Sequence, residues 1–408
     1  MKSLKKNFAW NFLGLTSYNF SQWLLLLILA RIGDQYTVGR FSLMLAISAP
    51  VYLALGMNLR LALTTDVQHR WRLAEYFQIR RFSNLAAVCV TLILGLVVGL
   101  TPPELLALGI LAAAKVVEAT SQVYYAMFQR AELFVLVSRS LVARAALGPT
   151  FFFVLYVAFD QLWSACLGLL IGWMLPQLIL DRKGFKSVSK LEDPRFFEPK
   201  RPGEVRSLFR KTAPLGLDQG VSSLAVNVPR YAVQYSVGTT GLAVYSSLAY
   251  FAQIVAMVGT TMGSVFNPRL ARLYRAGNRA GFIKLLSTLV AFAATISVGA
   301  GLGAILFGDT LIRWTLGPEY VDQDLLTALM VSAGLITLHR SLCKVLESSQ
   351  SFGRYLALDL IVTITVCVSA PFLVASVGPI GAAYSTIIGY GIGTVFAAGL
   401  AVYTVRRI

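Results

Sequence analysis

Residues 12–59 read FLGLTSYNFSQWLLLLILARIGDQYTVGRFSLMLAISAPVYLALGMNL. Two apolar runs, 12–30 and 38–59, flank a short polar break holding Arg31 and Asp34. At a rise of about 1.5 Å per residue, a helix of about 20 residues crosses the ~30 Å hydrocarbon core of a bilayer. Each run meets that length, so the pair reads as a transmembrane hairpin. Ten further runs repeat the pattern, at 84–100, 105–127, 141–159, 162–180, 214–237, 242–266, 283–307, 325–347, 356–377 and 380–403. The longest connection is 181–213, which leaves no room for a globular domain outside the membrane. Composition agrees: of 408 residues, 56% are of the AVILMFWYC set and 13% are charged. Soluble domains carry about a quarter charged residues, so a soluble enzyme and a disordered chain are both excluded. The expected fold is an all-α polytopic membrane protein of about twelve transmembrane helices, and its function is narrowed to transport, channel conduction or chemistry on a lipid.

The net charge of +17 is distributed by side rather than gathered into a patch with aromatic platforms, which argues against nucleic acid. The segments 1–10, 60–83, 129–140, 181–213, 267–282, 348–355 and 404–408 hold 27 Lys or Arg, against two, Arg31 and Arg313, on the other side. Such asymmetry over short loops places both termini in the cytoplasm. Acidic residues lean outward, at Asp34, Glu104, Asp160, Asp309, Glu319, Asp322 and Asp324. The basic start MKSLKKNFAWN precedes a run with no small-residue cleavage site, so it reads as an uncleaved first helix. Cys89, Cys166, Cys343 and Cys367 are isolated in apolar runs. With only His69 and His339 as partners, they suggest neither a zinc site nor a disulfide framework.

The linker 181–213, with ten basic residues and three prolines, divides the spans six and six. The expected organisation is a first bundle over 1–180, the basic cytoplasmic linker and a second bundle over 214–408, as in carriers built from repeats. Weak echoes support a duplication: an aromatic followed by serine at Phe41-Ser42, Trp163-Ser164, Tyr245-Ser246 and Tyr384-Ser385, and Leu-Gly-Leu at 13–15 and 215–217. Glycines at close-packing spacing (Gly14, Gly95 with Gly99, Gly299 with Gly303, Gly389 with Gly393) and prolines within spans (Pro50, Pro149, Pro176, Pro229, Pro371) suit both a moving bundle and a static one.

An ionisable group in hydrocarbon needs a wet cavity or a partner, so each intramembrane charge is a candidate. Lys115 stands near the middle of its run. Arg230 is about 7 Å to the outer side of its run's centre and Arg340 about 6 Å to the inner side, with Arg144 and Lys344 nearer the inner interface. The alternative readings are structural. Lys115 with Glu118, and Lys344 with Glu347, are three apart and able to neutralise each other; Arg144 and Lys344 can snorkel; Asp218 and Asp359 fall in the first turns of their runs, where the helix dipole favours an anion. The unpaired excess is positive, which suits an anionic substrate such as a phosphate or diphosphate gripped by a guanidinium. Asn11, Gly14, Tyr18 and Gln22 form one polar face of the first helix, and Ser222, Ser223, Asn227 and Gln234 a second on the seventh. These groups suit sugar hydroxyls or interhelical contacts equally. Lys115, Arg230, Arg340, Asn227, Gln22 and Arg144 are thus the candidate substrate ligands, and Glu118 and Asp218 the carboxylates for a coupling ion.

The opening segment NFAWNFLGLTSYNFSQWLLLLILARIGDQYTVGRFSLMLAISAPVYLALGMNLR resembles bacterial polysaccharide biosynthesis membrane proteins. These are the O-antigen and capsule lipid flippases of the multidrug/oligosaccharidyl-lipid/polysaccharide exporter superfamily. Asn227-Val228-Pro229-Arg230-Tyr231, the stretch Arg269-Leu270-Ala271-Arg272-Leu273-Tyr274-Arg275-Ala276-Gly277, and Leu316-Gly317-Pro318-Glu319-Tyr320 carry the same resemblance. It implies two six-helix bundles around a cationic central cavity, alternating access, and movement of an undecaprenyl-diphosphate-linked oligosaccharide between leaflets of the bacterial inner membrane. A proton or Na+ gradient would bias the cycle, and a polysaccharide polymerase is a conceivable partner. No nucleotide-binding motif is present, so neither ATP use nor a cofactor is expected. The main rival is an ion-coupled drug antiporter of the same superfamily, which usually needs intramembrane carboxylates. A membrane enzyme predicts a large outer loop or a His/Asp dyad at the interface, and 308–324 contains no histidine.

Overall fold

The computed structural model describes residues 2–66, 70–190, 194–197 and 203–406, and these are helical almost throughout, with no strand among them. His69 and residues 191–193 and 198–202 of the basic linker lie outside the described residues. The opening hairpin is α1 (Lys2–Ile32) and α2 (Gln35–Gly56). Asp34 caps α2 by accepting a hydrogen bond from the Thr37 amide at 2.8 Å. α2 stops where Met57 (φ 50°) and Asn58 (φ 44°) take left-handed conformations, which no helix continues through. The short α3 (Leu59–Thr65) then resumes.

α4 (Leu73–Val97) and α5 (Pro102–Arg130) follow. Thr101 and Glu104 form a reciprocal capping box at the start of α5, with proline in its first turn. After α6 (Phe134–Phe159) and α7 (Leu162–Pro176), the chain runs on through a π-helical turn, Gln177–Asp181, into α8 (Arg182–Val188). Pro176 has no amide hydrogen to donate, and the widened turn follows directly. A 3-10 turn at Pro194–Phe197 precedes α9 (Glu204–Ser236), α10 (Thr239–Arg275) and α11 (Arg279–Thr315). A second, Pro318–Tyr320, precedes α12 (Gln323–Ser348), α13 (Phe352–Val377) and α14 (Pro379–Val405).

The protein is an all-α polytopic membrane protein. Among the described residues, eleven helical stretches are long and apolar enough to cross a membrane. The expected span 214–237 is helical, as the second part of α9, but is not one of the eleven. Asp218, Gln219, Ser222, Ser223, Asn227, Arg230 and Gln234 make it too polar. The expected inner segment 60–83 is largely helix instead, since α3 runs to Thr65 and α4 begins at Leu73.

The chain divides into two compact units, Met1–Ser223 and Leu224–Ile408. In the first, α6 and α7 approach to backbone contact: a Cβ on Gly168 would lie 2.2 Å from the Phe151 carbonyl oxygen, and one on Gly172 2.6 Å from that of Leu147. α1 crosses α6 at Gly14, which lies on Ser138, and the Ser138 hydroxyl donates to the Trp10 carbonyl at 2.7 Å. A core of Met57, Leu63, Trp71, Tyr76, Tyr125, Phe128 and Phe196 ties α3, α4 and α5 to the turn after α8. In the second unit, α10 meets α12 at Gly259 against Thr337, and α13 meets α14 at Gly381 against Leu373. Gly299 and Gly303 pack against nothing within 4 Å. They belong to α11, whose Val298, Leu302, Ile305, Leu306 and Phe307 are exposed, an arrangement that only a lipid environment accommodates.

Candidate functional site

Each unit carries its own set of polar side chains. In the first, Lys115, Glu118, Gln122, Tyr125 and Gln129 recur along α5 at steps of three and four, which places them on one face. Lys115 Nζ donates to Glu118 Oε2 at 2.9 Å and lies 5.2 Å over the Trp173 ring of α7. The Tyr18 hydroxyl of α1 donates to Glu118 Oε1 at 2.7 Å. The α1 polar face therefore turns toward α5, and Tyr18 also meets Trp173 at 5.9 Å between ring centroids. Along that face, Asn11 Oδ1 and Gln22 Nε2 are buried atoms with no hydrogen-bond partner among the described residues. Such atoms bear a desolvation cost that a ligand's hydroxyl or amide group can relieve.

One turn further along α5 a second cation enters from α3. Arg60 donates through Nη1 to Gln122 Oε1 at 2.7 Å and through Nε to Gln129 Oε1 at 3.1 Å, with its guanidinium 5.5 Å over the Tyr125 ring. Its partners are neutral amides, and among the described residues it makes no ion pair. Arg80 is similar: it is buried on α4, where it donates to the Gly56 carbonyl at the broken end of α2 at 3.4 Å. Both lie in the stretch read from sequence as an inner loop. The signal for Arg60 is the helix break at Met57-Asn58 beside it, and no such local mark accompanies Arg80.

Arg144 reaches the same stretch of α5 from α6, with its guanidinium 5.8 Å over the Tyr125 ring. It is 1% exposed on α6, bonded to Ser121 and paired at 3.4 Å with Asp181, which is fully buried on the π-helical turn. A buried guanidinium and carboxylate so placed neutralise each other and lock α5, α6 and the end of α7 together. Asp218 lies half-buried on α9 between Gly216 and Gly220, the two positions at which α9 meets Ala54 of α2.

In the second unit, Arg230 Nη1 donates to Asn227 Oδ1 at 2.9 Å, joining the two candidates of α9. Among the described residues Arg230 makes no ion pair, so its charge is held by a neutral oxygen. Arg340 of α12 donates to the Tyr355 hydroxyl of α13 at 2.9 Å. Lys344 is bound to Glu347 at 2.7 Å, as the spacing suggests, and Asn267 donates to the same carboxylate at 2.9 Å. The first-turn reading of the two aspartates does not hold. α9 begins at Glu204 and α13 at Phe352, so Asp218 and Asp359 lie well inside their helices. Apolar runs under-read helix length because polar first turns are invisible to them, and the dipole does not account for these carboxylates.

Residues 4–274 match the family profile described as polysaccharide biosynthesis protein. The chain is 24% identical over 331 residues to the capsular polysaccharide biosynthesis protein CapF of Staphylococcus aureus, covering 81% of this chain and 82% of that one. Among solved structures it is similar to a multidrug resistance MATE family transporter of the MOP superfamily in its inward-facing conformation (TM-score 0.76, 14% identity, 97% of this chain and 98% of that one). It is also similar to the lipid II flippase MurJ in an inward closed conformation (TM-score 0.74, 13% identity, 95% of this chain and 86% of that one). At these identities the shared property is the fold.

Proposed function

The chain belongs to the polysaccharide biosynthesis protein family, and from that premise we propose that it is a flippase for a lipid-linked oligosaccharide. The substrate would be an undecaprenyl-diphosphate-linked repeat unit of capsule, O-antigen or exopolysaccharide, carried from the cytoplasmic to the outer leaflet of the bacterial cytoplasmic membrane by alternating access. The observation that carries this reading is the pair of half-buried guanidiniums, Arg60 in the first unit and Arg230 in the second, each bonded to side-chain amides and making no ion pair among the described residues. A guanidinium held by a neutral oxygen is oriented without losing its charge, and it can grip phosphoryl oxygens bidentately. A diphosphate stripped of water demands such partners, while the isoprenoid tail needs none.

The remaining candidates have graded roles. Gln22 and Asn11 offer unsatisfied atoms to sugar hydroxyls, and Asn227 orients Arg230. Lys115 is neutralised by Glu118 in this conformation, so it becomes an anion ligand only when Glu118 takes up a coupling proton or Na+. Asp218 is the second carboxylate proposed for coupling. Arg340 contributes as a cation held by the Tyr355 hydroxyl, whereas Arg144 serves mainly to fix the bundle. The carrier is read as two halves, with both termini in the cytoplasm. Chemistry on the substrate forms no part of this reading. The test is full-length protein in vesicles containing a fluorescent polyprenyl-diphosphate oligosaccharide, with a membrane-impermeant quencher reporting leaflet exchange. Faster exchange than in protein-free vesicles supports the proposal. Export of a cationic dye with no lipid exchange would favour the drug-antiporter alternative.

A further inference from the structure

In the first unit α2 ends at a break that is unfavourable in two ways. Met57 and Asn58 both hold left-handed backbone, at φ 50° and 44°, a conformation that residues with a side chain adopt reluctantly. The break also leaves the last carbonyls of α2 without helical partners. The Met57 amide returns to the Ala54 carbonyl at 3.3 Å, but no backbone amide among the described residues donates to the carbonyl of Gly56. Its donor is Arg80 of α4, through Nη2 at 3.4 Å.

Arg80 is an unusual group to find there. It is 5% exposed, its Nε is buried without a hydrogen-bond partner, and it makes no ion pair among the described residues. A buried cation with no counter-charge is destabilising on its own. What it meets at Gly56 is the negative end of the α2 dipole, concentrated on the carbonyls that the break has freed. Gly56 leaves room for the guanidinium: a Cβ there would lie 3.7 Å from Nη1, so any longer side chain would compete with Arg80 for the space. α9 bears on the same turn. A Cβ on Gly216 would lie 2.1 Å from the Ala54 carbonyl oxygen and 3.1 Å from Met57 Cα, and the Thr212 hydroxyl lies 3.7 Å from Met57 Sδ. The end of α2 is therefore held by α4 and α9 rather than by its own hydrogen bonds.

Two residues beyond the break stands Arg60. α3 carries it to α5, where Gln122 and Gln129 accept from its guanidinium, and the direction α3 takes is set by the dihedrals of Met57 and Asn58. We propose that Arg80 is a positioning residue for Arg60. By holding the Gly56 carbonyl it keeps α2 broken at Met57-Asn58, so that α3 leaves at the angle that puts Arg60 against α5. The consequence for substrate rests on the reading of Arg60 as a phosphoryl ligand, and Arg80 itself does not touch the diphosphate. Without Arg80, α3 has no fixed angle of departure, and a guanidinium displaced by about 1 Å no longer meets two phosphoryl oxygens together.

Two measurements on the full-length chain in nanodiscs test the hold and its use separately. For the hold, spin labels are placed at Leu61 of α3 and Val97 of α4, both exposed, with Cys89, Cys166, Cys343 and Cys367 replaced by alanine. Arg80→Met should shift or broaden the distance between the labels read by pulsed EPR, and Arg80→Lys, which keeps a cationic donor, should leave it near that of the parent. If Arg80→Met fails to fold, Gly56→Leu displaces the guanidinium instead and should give the same change. An unchanged distance overturns the proposal, whatever the protein carries. For the use, binding of undecaprenyl diphosphate is compared with that of undecaprenol. Arg80→Met should weaken diphosphate binding about tenfold, as Arg60→Gln does, spare undecaprenol, and add nothing to Arg60→Gln in the double variant. Losses that multiply to about a hundredfold in the double variant, or equal weakening for both lipids, overturn the positioning of Arg60. Wild-type protein that does not distinguish the two lipids contradicts the carrier reading instead, and the distance measurement still decides whether Arg80 holds the break.

Discussion

Replacing Glu118 by Gln, Lys115 by Met, and then both, measures how far the pair in the first unit is a closed account of charge. Lys115 and Glu118 lie 2.9 Å apart with side chains 18% and 22% exposed, and Tyr18 donates a second hydrogen bond to the carboxylate. Exposed ion pairs contribute about 0–1 kcal/mol, whereas removing one partner of a buried pair costs about 3–5 kcal/mol because the survivor is left uncompensated. The observed exposure is close to the buried limit, so each single substitution should cost about 2–3 kcal/mol. In the double substitution neither charge is stranded, so it should cost no more than either single substitution, giving a coupling of about 2–3 kcal/mol. Chemical or thermal unfolding of the four proteins in one detergent, followed by tryptophan fluorescence, reads the cycle directly, since Trp173 lies over Lys115. Additive losses would refute the pairing. The same set separates the roles: Glu118→Gln frees the Lys115 ammonium, so its exchange of diphosphate lipid should lose its dependence on the ion gradient while retaining binding.

Asp181→Asn should destabilise the protein by about 3–5 kcal/mol, since the fully buried Arg144 loses its counter-charge; the unfolding midpoint of the purified variant checks this. Gly172→Ala inserts a methyl 2.6 Å from the Leu147 carbonyl oxygen and should cost about 1–3 kcal/mol, read in the same way. Arg60→Gln removes a cation held by two amides and should weaken diphosphate-lipid binding about tenfold or more, with little change in unfolding midpoint.

Helices were visible in the sequence because apolar runs of membrane-crossing length are a strong signal, yet their ends were not. α9 begins at Glu204 rather than near 214, and α4 at Leu73 rather than 84, because a polar first turn looks like loop to a hydropathy reading. That error hid Arg60 and Arg80, both assigned to a connection, and misplaced Asp218 and Asp359. The Lys115 and Glu118 pair was readable because both residues share one turn. Arg144 with Asp181 is not readable in this way, since Asp181 follows Pro176 and opens the polar linker. Only the π-helical turn brings it back onto Arg144. His339 and Asp359 belong to different helices; the spacing of Gly389 and Gly393 marks α14 as close-packing, but not that it packs against His339. The polar face of α1 could be seen from its spacing, but that Tyr18 reaches Glu118 could not.

The central claim is that Arg230, oriented by Asn227, takes the phosphoryl charge. The most direct measurement is binding of undecaprenyl diphosphate, against the same lipid with an uncharged headgroup, to wild-type protein and to Arg230→Gln in nanodiscs. Loss of a charge-assisted contact of about 1.5–3 kcal/mol should weaken diphosphate binding about 10- to 150-fold and leave the uncharged lipid unaffected. Equal weakening for both lipids, or none for the diphosphate, would contradict it.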